Sequence, residues 1–235
     1  MIGGGSGGLA SAKHAASFNV KVGLADFVQP SLQGTKWGLG GTCVNVGCIP
    51  KKLLHHAANL GRLRKEQQMM GWKTSDESFD WETAIQNINM HIKKLNFGYR
   101  SALIKNNVKY FNAMASFENQ NTLKLTDKNN EVSFVEADKI LIAIGGRPRY
   151  LNLKGCKENC ISSDDIFWMK KNPGKVLVIG AGYIALETAG FLNSFGNRVD
   201  VLYRSKVLRQ FDNDAQRIKK FMQEEGVNFI KGDPL

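Results

Sequence analysis

Apolar and polar positions change period several times along the chain, and each change marks an element. Leu9 to Phe18 is Ala-rich and helix-compatible, and Val20 to Ala25 reads as a short strand ending at Asp26. After Pro50 the spacing is helical, with Leu53, Ala57 and Leu60 on one stripe and Leu54, Ala58 and Gly61 beside it. Pro50 suits the first turn, where its missing N–H costs nothing. Trp81, Ile85, Ile88, Ile92, Leu95 and Tyr99 predict a long amphipathic helix with Asp80 as its N-cap. Val108 to Val135 alternates and turns, with Asp127–Asn130 as a loop, and predicts a small antiparallel meander. Lys139 to Ile144 is a continuous apolar run and predicts a buried strand, and Ser163, Asp164 and Asp165 predict the cap of a short helix through Met169. Then a strand (Lys175–Ile179), a helix (Glu187–Phe195) and a strand (Arg198–Tyr203) follow, with a last helix near Asp214–Glu225 and a last strand at Val227–Ile230.

Glycines punctuate this pattern at two corresponding places. Gly3, Gly4, Gly5, Ser6, Gly7 and Gly8 match G-x-G-x-x-G ahead of the first helix, and Asp26 stands about 20 residues further on. Gly180, Ala181, Gly182, Tyr183, Ile184 and Ala185 give G-x-G-x-x-A between a strand and a helix. Such turns bring a backbone close to a pyrophosphate at a helix N-terminus, and Asp26 can accept bonds from ribose hydroxyls. The strand after the second turn ends on Arg204, with Ser205 next and Arg209 beyond, where an acid would stand for an unphosphorylated ribose. Arginines bind a 2′-phosphate that an acid would repel, so the second site is expected to prefer NADP over NAD.

Between the glycine turns lies Cys43-Val-Asn-Val-Gly47-Cys48-Ile-Pro-Lys51-Lys52. Five residues of ideal helix rise about 7.5 Å, whereas a disulfide needs its Cα atoms within about 7 Å. The pair can bond only if the first turn is distorted or Cys43 lies outside the helix, and Gly47 permits that. A strained bond is easily reduced and suits a working redox pair. The other reading is two buried thiols that never bond. Cys156 and Cys160 form a C-x-x-x-C in a connector over 149–173 that could be a second redox pair; with no helix start or basic neighbour fixed there, the favoured reading is two incidental thiols.

Composition adds limits. Of 235 residues, 43% are hydrophobic and 23% charged, which is ordinary for a globular protein of one large or two modest domains. The formal charge of +11 comes from scattered Lys and Arg, with no basic stripe and interleaved aromatics, so no nucleic-acid partner is expected. No apolar run approaches a membrane span. The four histidines are adjacent (His55, His56) or solitary (His14, His91), so no metal is expected.

Two dinucleotide turns flanking one dithiol call for a carrier between nicotinamide and sulfur, because a disulfide takes hydride poorly from a nicotinamide. A flavin meets that need. FAD is therefore expected in the first turn, nearest the dithiol, and NADPH in the second. The fold class expected is α/β: two dinucleotide-binding, Rossmann-like domains with a small antiparallel β-meander. The boundaries drawn are 1–148 for FAD, with the first strand mostly missing, and 149–235 for an incomplete NADPH domain.

The sequence resembles the animal-type, high-molecular-weight thioredoxin reductases of the pyridine nucleotide-disulfide oxidoreductase family. The resemblance rests on Trp37 through Lys52, Gly146-Arg147-Pro148-Arg149-Tyr150, Ser162 through Phe167, Gly180 through Leu192, and Arg204, Ser205 and Arg209. It implies Cys48 as the thiol against the flavin, in a charge-transfer complex, and Cys43 as the interchange thiol. It implies Lys51 paired with Glu187 near the flavin, and Tyr183 as the ring gating the nicotinamide pocket. Ser6, Gly7, Asp26, Phe27, Thr42, Gly47 and the backbone near Met114 and Ala115 would touch FAD. Arg147, the Ala181–Glu187 turn, Arg204, Ser205 and Arg209 would touch NADPH. Ile144 stands where the family usually has Thr, a lost hydroxyl beside FAD.

The same resemblance implies thioredoxin or a small disulfide as substrate, a homodimer in the family, and a cytoplasmic or mitochondrial location. The family's interface domain, with its His–Glu pair and C-terminal thiol pair, is absent here, so the chain alone is expected not to reduce thioredoxin. Glutathione reductase shares the dithiol segment but usually lacks the Gly34-Thr-Lys-Trp37 lead-in. Thioredoxin–glutathione reductase and a non-catalytic truncated isoform are the remaining alternatives. Monooxygenases and dehydrogenases have glycine turns but no use for Cys43 and Cys48.

Overall fold

The computed structural model describes residues 1–73 and 78–234. The chain divides into two compact units, Met1–Pro50 with Asn89–Phe167, and Lys51–Ile88 with Trp168–Leu235. It is a mixed α/β protein of Rossmann-like type.

In the first unit α1 (Ser6–Ala16) follows the glycine turn and returns the chain to β1 (Val22–Ala25). The short α2 (Gly41–Val46) and the start of α3 (Cys48–Met69) come next, and the second part of α4 (Trp81–Lys105) leads to β2 (Val108–Phe111). β1 and β2 pair in parallel, from Val22 opposite Val108 to Ala25 opposite Phe111. Then β3 (Ala113–Phe117), β4 (Thr122–Asp127) and β5 (Val132–Glu136) form an antiparallel meander. Leu9 and Ala12 of α1, Leu24, Leu39, Leu103 and Val108 make one buried cluster; Ile2, Ala25, Ala113, Leu123 and Leu125 make a second against the meander. Each fully buried Leu contributes about 1.5–3 kcal/mol. Asp80 caps α4 as expected, accepting from the Thr83 N–H at 3.1 Å and the Thr83 hydroxyl at 2.5 Å.

Three expectations are corrected. Val108–Phe111 belongs to the parallel sheet and not to the meander. Alternation reports which face is buried and says nothing of a partner's direction, and the long α4 crossover is what makes a parallel partner reachable. Lys139–Ile144 is neither a full strand nor buried. It makes one parallel bridge, Ile142 with Ile2, while Leu141, Ile142 and Ile144 stay 42%, 58% and 70% exposed. An apolar run records a preference for cover but not that a neighbour supplies it. The helix expected through Met169 is only a 3-10 turn, Ile166–Trp168. Asp164 and Asp165 are spent on side chains from other segments instead of on a cap.

The second unit holds a three-stranded parallel sheet, with β6 (Val176–Ile179) and β8 (Asn228–Lys231) on either side of β7 (Val199–Tyr203). The crossovers are α6 (Tyr183–Ser194) and α7 (Gln216–Glu224). Val199 and Val201 of β7 are buried with Ala189, Phe191 and Leu192 of α6. Phe79 stacks on Phe195 at 3.8 Å between ring centroids, and the Trp81 indole N–H donates to the Met169 carbonyl at 2.9 Å.

Candidate dinucleotide turns and dithiol

Gly5 is the N-cap of α1, in extended backbone, and no side chain caps the helix or places an acid in its first turn. The opening amides of α1 therefore lack a side-chain acceptor and suit an anion. The turn is tight because nothing larger than hydrogen fits at Gly8, where a methyl would collide with the Gly3 carbonyl oxygen. That contact seats the helix on the strand end. Ser6 and Gly7 are exposed at the mouth of the turn. Asp26 follows β1 and accepts from the Gly4 N–H at 2.7 Å. Burial raises its carboxyl above the usual range, and the Gly4 bond opposes that rise only in part. Phe27 is half-buried beside it, and Met114 and Ala115 are half-buried near the start of β3. The donor set and the open turn fit a dinucleotide pyrophosphate.

The dithiol segment is docked on this turn. The Gly40 N–H donates to the Gly4 carbonyl at 2.9 Å. Gly41 has φ +73°, and a methyl on it would lie 2.6 Å from Gly5 Cα. Two backbones thus meet where no side chain could be, and Thr42 and Cys43 follow at once on α2. Cys48 is the first residue of α3, and Gly47, at φ −145° and ψ −119°, breaks the two helices apart. Cys43 therefore lies outside the helix that Cys48 opens, one of the two arrangements that the spacing allows. Cys43 is half-buried and Cys48 exposed, which excludes the reading of two buried thiols.

Sequence reasoning missed the groups that hold this segment. Asn45 is fully buried, and its amide donates to the Gly38 and Gly41 carbonyls at 3.1 and 2.9 Å. Asn96 of α4 donates to Leu39 O and to Asn45 Oδ1 at 2.5 and 2.9 Å. For Asn96 the available signal was a polar residue between Leu95 and Phe97 on a predicted helix. Asp165, 3% exposed, accepts from the Ser31 and Thr35 hydroxyls at 2.5 and 2.8 Å and from Ser162. Burial alone would raise its carboxyl, but these bonds outweigh burial and hold it below the usual range. Arg147 is engaged within this unit: its Nε donates to Asp164 at 2.9 Å, its Nη1 to the Gln29 carbonyl at 2.9 Å, and its guanidinium lies 4.6 Å above the Trp37 ring. Ile144 is exposed.

In the second unit Gly182 is the N-cap of α6, again with no capping side chain and no acid in the first turn. A methyl built on Gly180 or Gly182 meets nothing within 4 Å, so a ligand can approach this backbone. Ala181 and Ala185 are half-buried, while Tyr183 and Ile184 are 55% and 41% exposed. The loop carrying Arg204, Ser205 and Arg209 is tied to the turn, since the Leu208 N–H donates to the Ala181 carbonyl at 2.9 Å. Leu208 adopts φ +49° to do so, a left-handed conformation that costs a non-glycine residue about 1 kcal/mol. All three polar residues are exposed, and among the described residues neither arginine is paired with an acid. This loop suits a phosphate on the ribose.

The Glu187 carboxylate is shared by two lysines of α3. Lys51 pairs with Oε2, and Lys52 Nζ lies 2.6 Å from Oε1. Lys51 is 7% exposed at its side chain and Lys52 is 62% exposed. The Lys51 ammonium also stands 4.6 Å from the Tyr183 ring centroid. Burial pushes Glu187 up, but the bonds and charges of Lys51 and Lys52 win and hold it below the usual carboxylate range.

Among the described residues no helix is long and apolar enough to cross a membrane. The family description pyridine nucleotide-disulphide oxidoreductase matches residues 1–233. A protein of Emiliania huxleyi named thioredoxin reductase SEP1 is 52% identical over 233 residues, covering 99% of this chain and 47% of that protein. A Plasmodium falciparum protein named thioredoxin reductase is 48% identical over 237 residues, covering 99% of this chain and 44% of that protein. The chain thus spans under half the length of these two relatives.

Proposed function

Because the chain belongs to the pyridine nucleotide-disulphide oxidoreductase family, we propose that it carries out the thiol chemistry of an NADPH-dependent thioredoxin reductase. FAD is held in the first unit by the Gly3–Gly8 turn and Asp26. NADPH is held in the second by the Gly180–Ala185 turn with Arg204, Ser205 and Arg209. Cys43 and Cys48 form the redox-active dithiol. Thioredoxin as the substrate rests on the names of the two relatives.

The observation that carries the reading is the contact of Gly41 with Gly5, which seats α2, the helix of Cys43, against the first glycine turn. A bound flavin supplies the two-electron chemistry that nicotinamide and disulfide cannot perform directly. The chain's own residues do the rest. The Cys43 thiolate attacks the incoming disulfide and forms a mixed disulfide, releasing one thiolate. Cys48 then attacks the Cys43 sulfur, releasing the second and closing Cys43–Cys48. The Gly47 break between the two helices leaves the backbone free to bring the sulfurs together. Glu187 holds the buried Lys51 ammonium in place, and Tyr183 covers it from the side.

Reconstitution with FAD tests the assignment without requiring turnover. The chain is expected to bind the flavin and, on addition of NADPH, to gain a long-wavelength absorbance shoulder that Cys48→Ser abolishes. Failure to bind FAD, or a spectrum indifferent to Cys48→Ser, rejects it.

A further inference from the structure

Cys156 and Cys160 are left out of the chemistry above, and the structure fixes a relation that their spacing left open. Cys156 opens the four-residue helix α5 (Cys156–Asn159), and the Cys160 N–H donates back to the Cys156 carbonyl at 2.9 Å. One helical turn therefore separates the two residues. Four residues of helix rise about 6 Å, inside the span of about 4.4–6.8 Å at which Cα atoms accept a disulfide. Cys156 is 6% exposed and Cys160 half-buried, so one sulfur is reachable and the other is sheltered behind it.

The turn is also fixed from outside. The Gln33 amide donates to the Cys160 carbonyl at 2.7 Å and to the Lys157 carbonyl at 3.0 Å, and the Asn159 amide donates to the Gly155 carbonyl at 2.9 Å. The backbone on either side of the thiol pair is thereby held.

We propose that Cys156 and Cys160 are a second reversible dithiol–disulfide site, separate from Cys43 and Cys48, that exchanges with small-molecule disulfides. The Cys160 thiolate attacks one sulfur of the small disulfide, forming a mixed disulfide and releasing one thiolate. Cys156, deprotonated in turn, attacks the Cys160 sulfur and releases the second thiolate. The protein loses two electrons and two protons, and the small disulfide gains them as two thiols. The hydrogen bond with Cys156 and then burial push the Cys160 thiol up. Exchange is therefore slow at neutral pH and quickens in mildly alkaline buffer, unlike that of an exposed, activated thiol.

The test uses the unmodified chain equilibrated in glutathione buffers running from fully reduced to fully oxidised, quenched with acid, alkylated and digested with trypsin. Cleavage after Lys157 separates Cys156 from Cys160, whereas Cys43 and Cys48 stay together between Lys36 and Lys51. The expected result is a species joining Gly155–Lys157 to 158–170, two hydrogens lighter than the separate peptides. It should grow with oxidised glutathione, disappear with dithiothreitol, and form several-fold faster at pH 8.5 than at pH 7 (a range of about 1.5 pH units over which the thiolate fraction of a high-pKa thiol rises about thirtyfold at most). Separate alkylation of both cysteines at every buffer ratio overturns the proposal. So does recovery of Cys160 only as its glutathione adduct, or joined to a cysteine other than Cys156.

Discussion

Lys51 shows how one buried charge constrains its neighbours. Its ammonium is nearly out of water, and Glu187 is the carboxylate that balances it, with Lys52 on the same carboxylate at the surface. Removing one partner of a buried pair leaves an uncompensated charge, at a cost on the order of 3 kcal/mol. Removing an exposed partner costs about 1 kcal/mol at most. Glu187→Gln is therefore expected to lower the urea midpoint clearly, and Lys52→Ala to lower it little; equal effects would show that the Lys51 charge is not isolated by burial. The pH dependence has a definite sign. The folded state holds Glu187 below its ordinary value of 4.5, so its contribution is complete above that value and fades as pH falls through the lower folded value. Urea curves measured above and below pH 4.5 should converge for wild type and Glu187→Gln on the acid side.

At the scale of elements, what matters is how little room the glycine turns leave. Gly41 meets Gly5 backbone to backbone, at a φ that side chains rarely adopt. Gly41→Ala is expected to displace α2 from the turn and so to weaken flavin binding at least tenfold, read by fluorescence titration of FAD. Asn45→Ala removes the bonds that close the same segment from inside, each worth about 1 kcal/mol. It is expected to lower stability while leaving the Gly5 contact itself intact. If Gly41→Ala binds FAD as wild type does, the docking of α2 on the turn is not what shapes that site. These elements were partly legible beforehand. The 3.6-residue periodicity of α4 and its Asp80 cap follow from residues within one segment. The parallel partner of Val108–Phe111 and the exposed state of Leu141, Ile142 and Ile144 depend on segments remote in sequence, which no local pattern encodes.

For the molecule as a whole, a ligand that binds only the folded state stabilises it by mass action, about 2.7 kcal/mol at a hundredfold excess over Kd. The basic loop tied to the second turn through Leu208 and Ala181 predicts unequal effects of the two nicotinamide dinucleotides. NADP is expected to raise the unfolding temperature more than NAD at equal concentration, and Arg209→Ala to narrow the gap. Equal shifts in the unaltered chain would remove the phosphate from the role given to Arg204 and Arg209. The sequence by itself determined the two glycine turns that open helices, the helix-opening Cys48, the acid after the first unit's β1 and the arginines after β7. Each of these is a short run whose chemistry is carried by neighbours in the chain. Only the tertiary structure decided that Gly41 rests on Gly5, that Asn96 holds Asn45, that Asp165 gathers Ser31 and Thr35, and that Lys52 joins Lys51 on Glu187. Those contacts join residues dozens of positions apart, and their geometry exists only once the backbone has closed on itself.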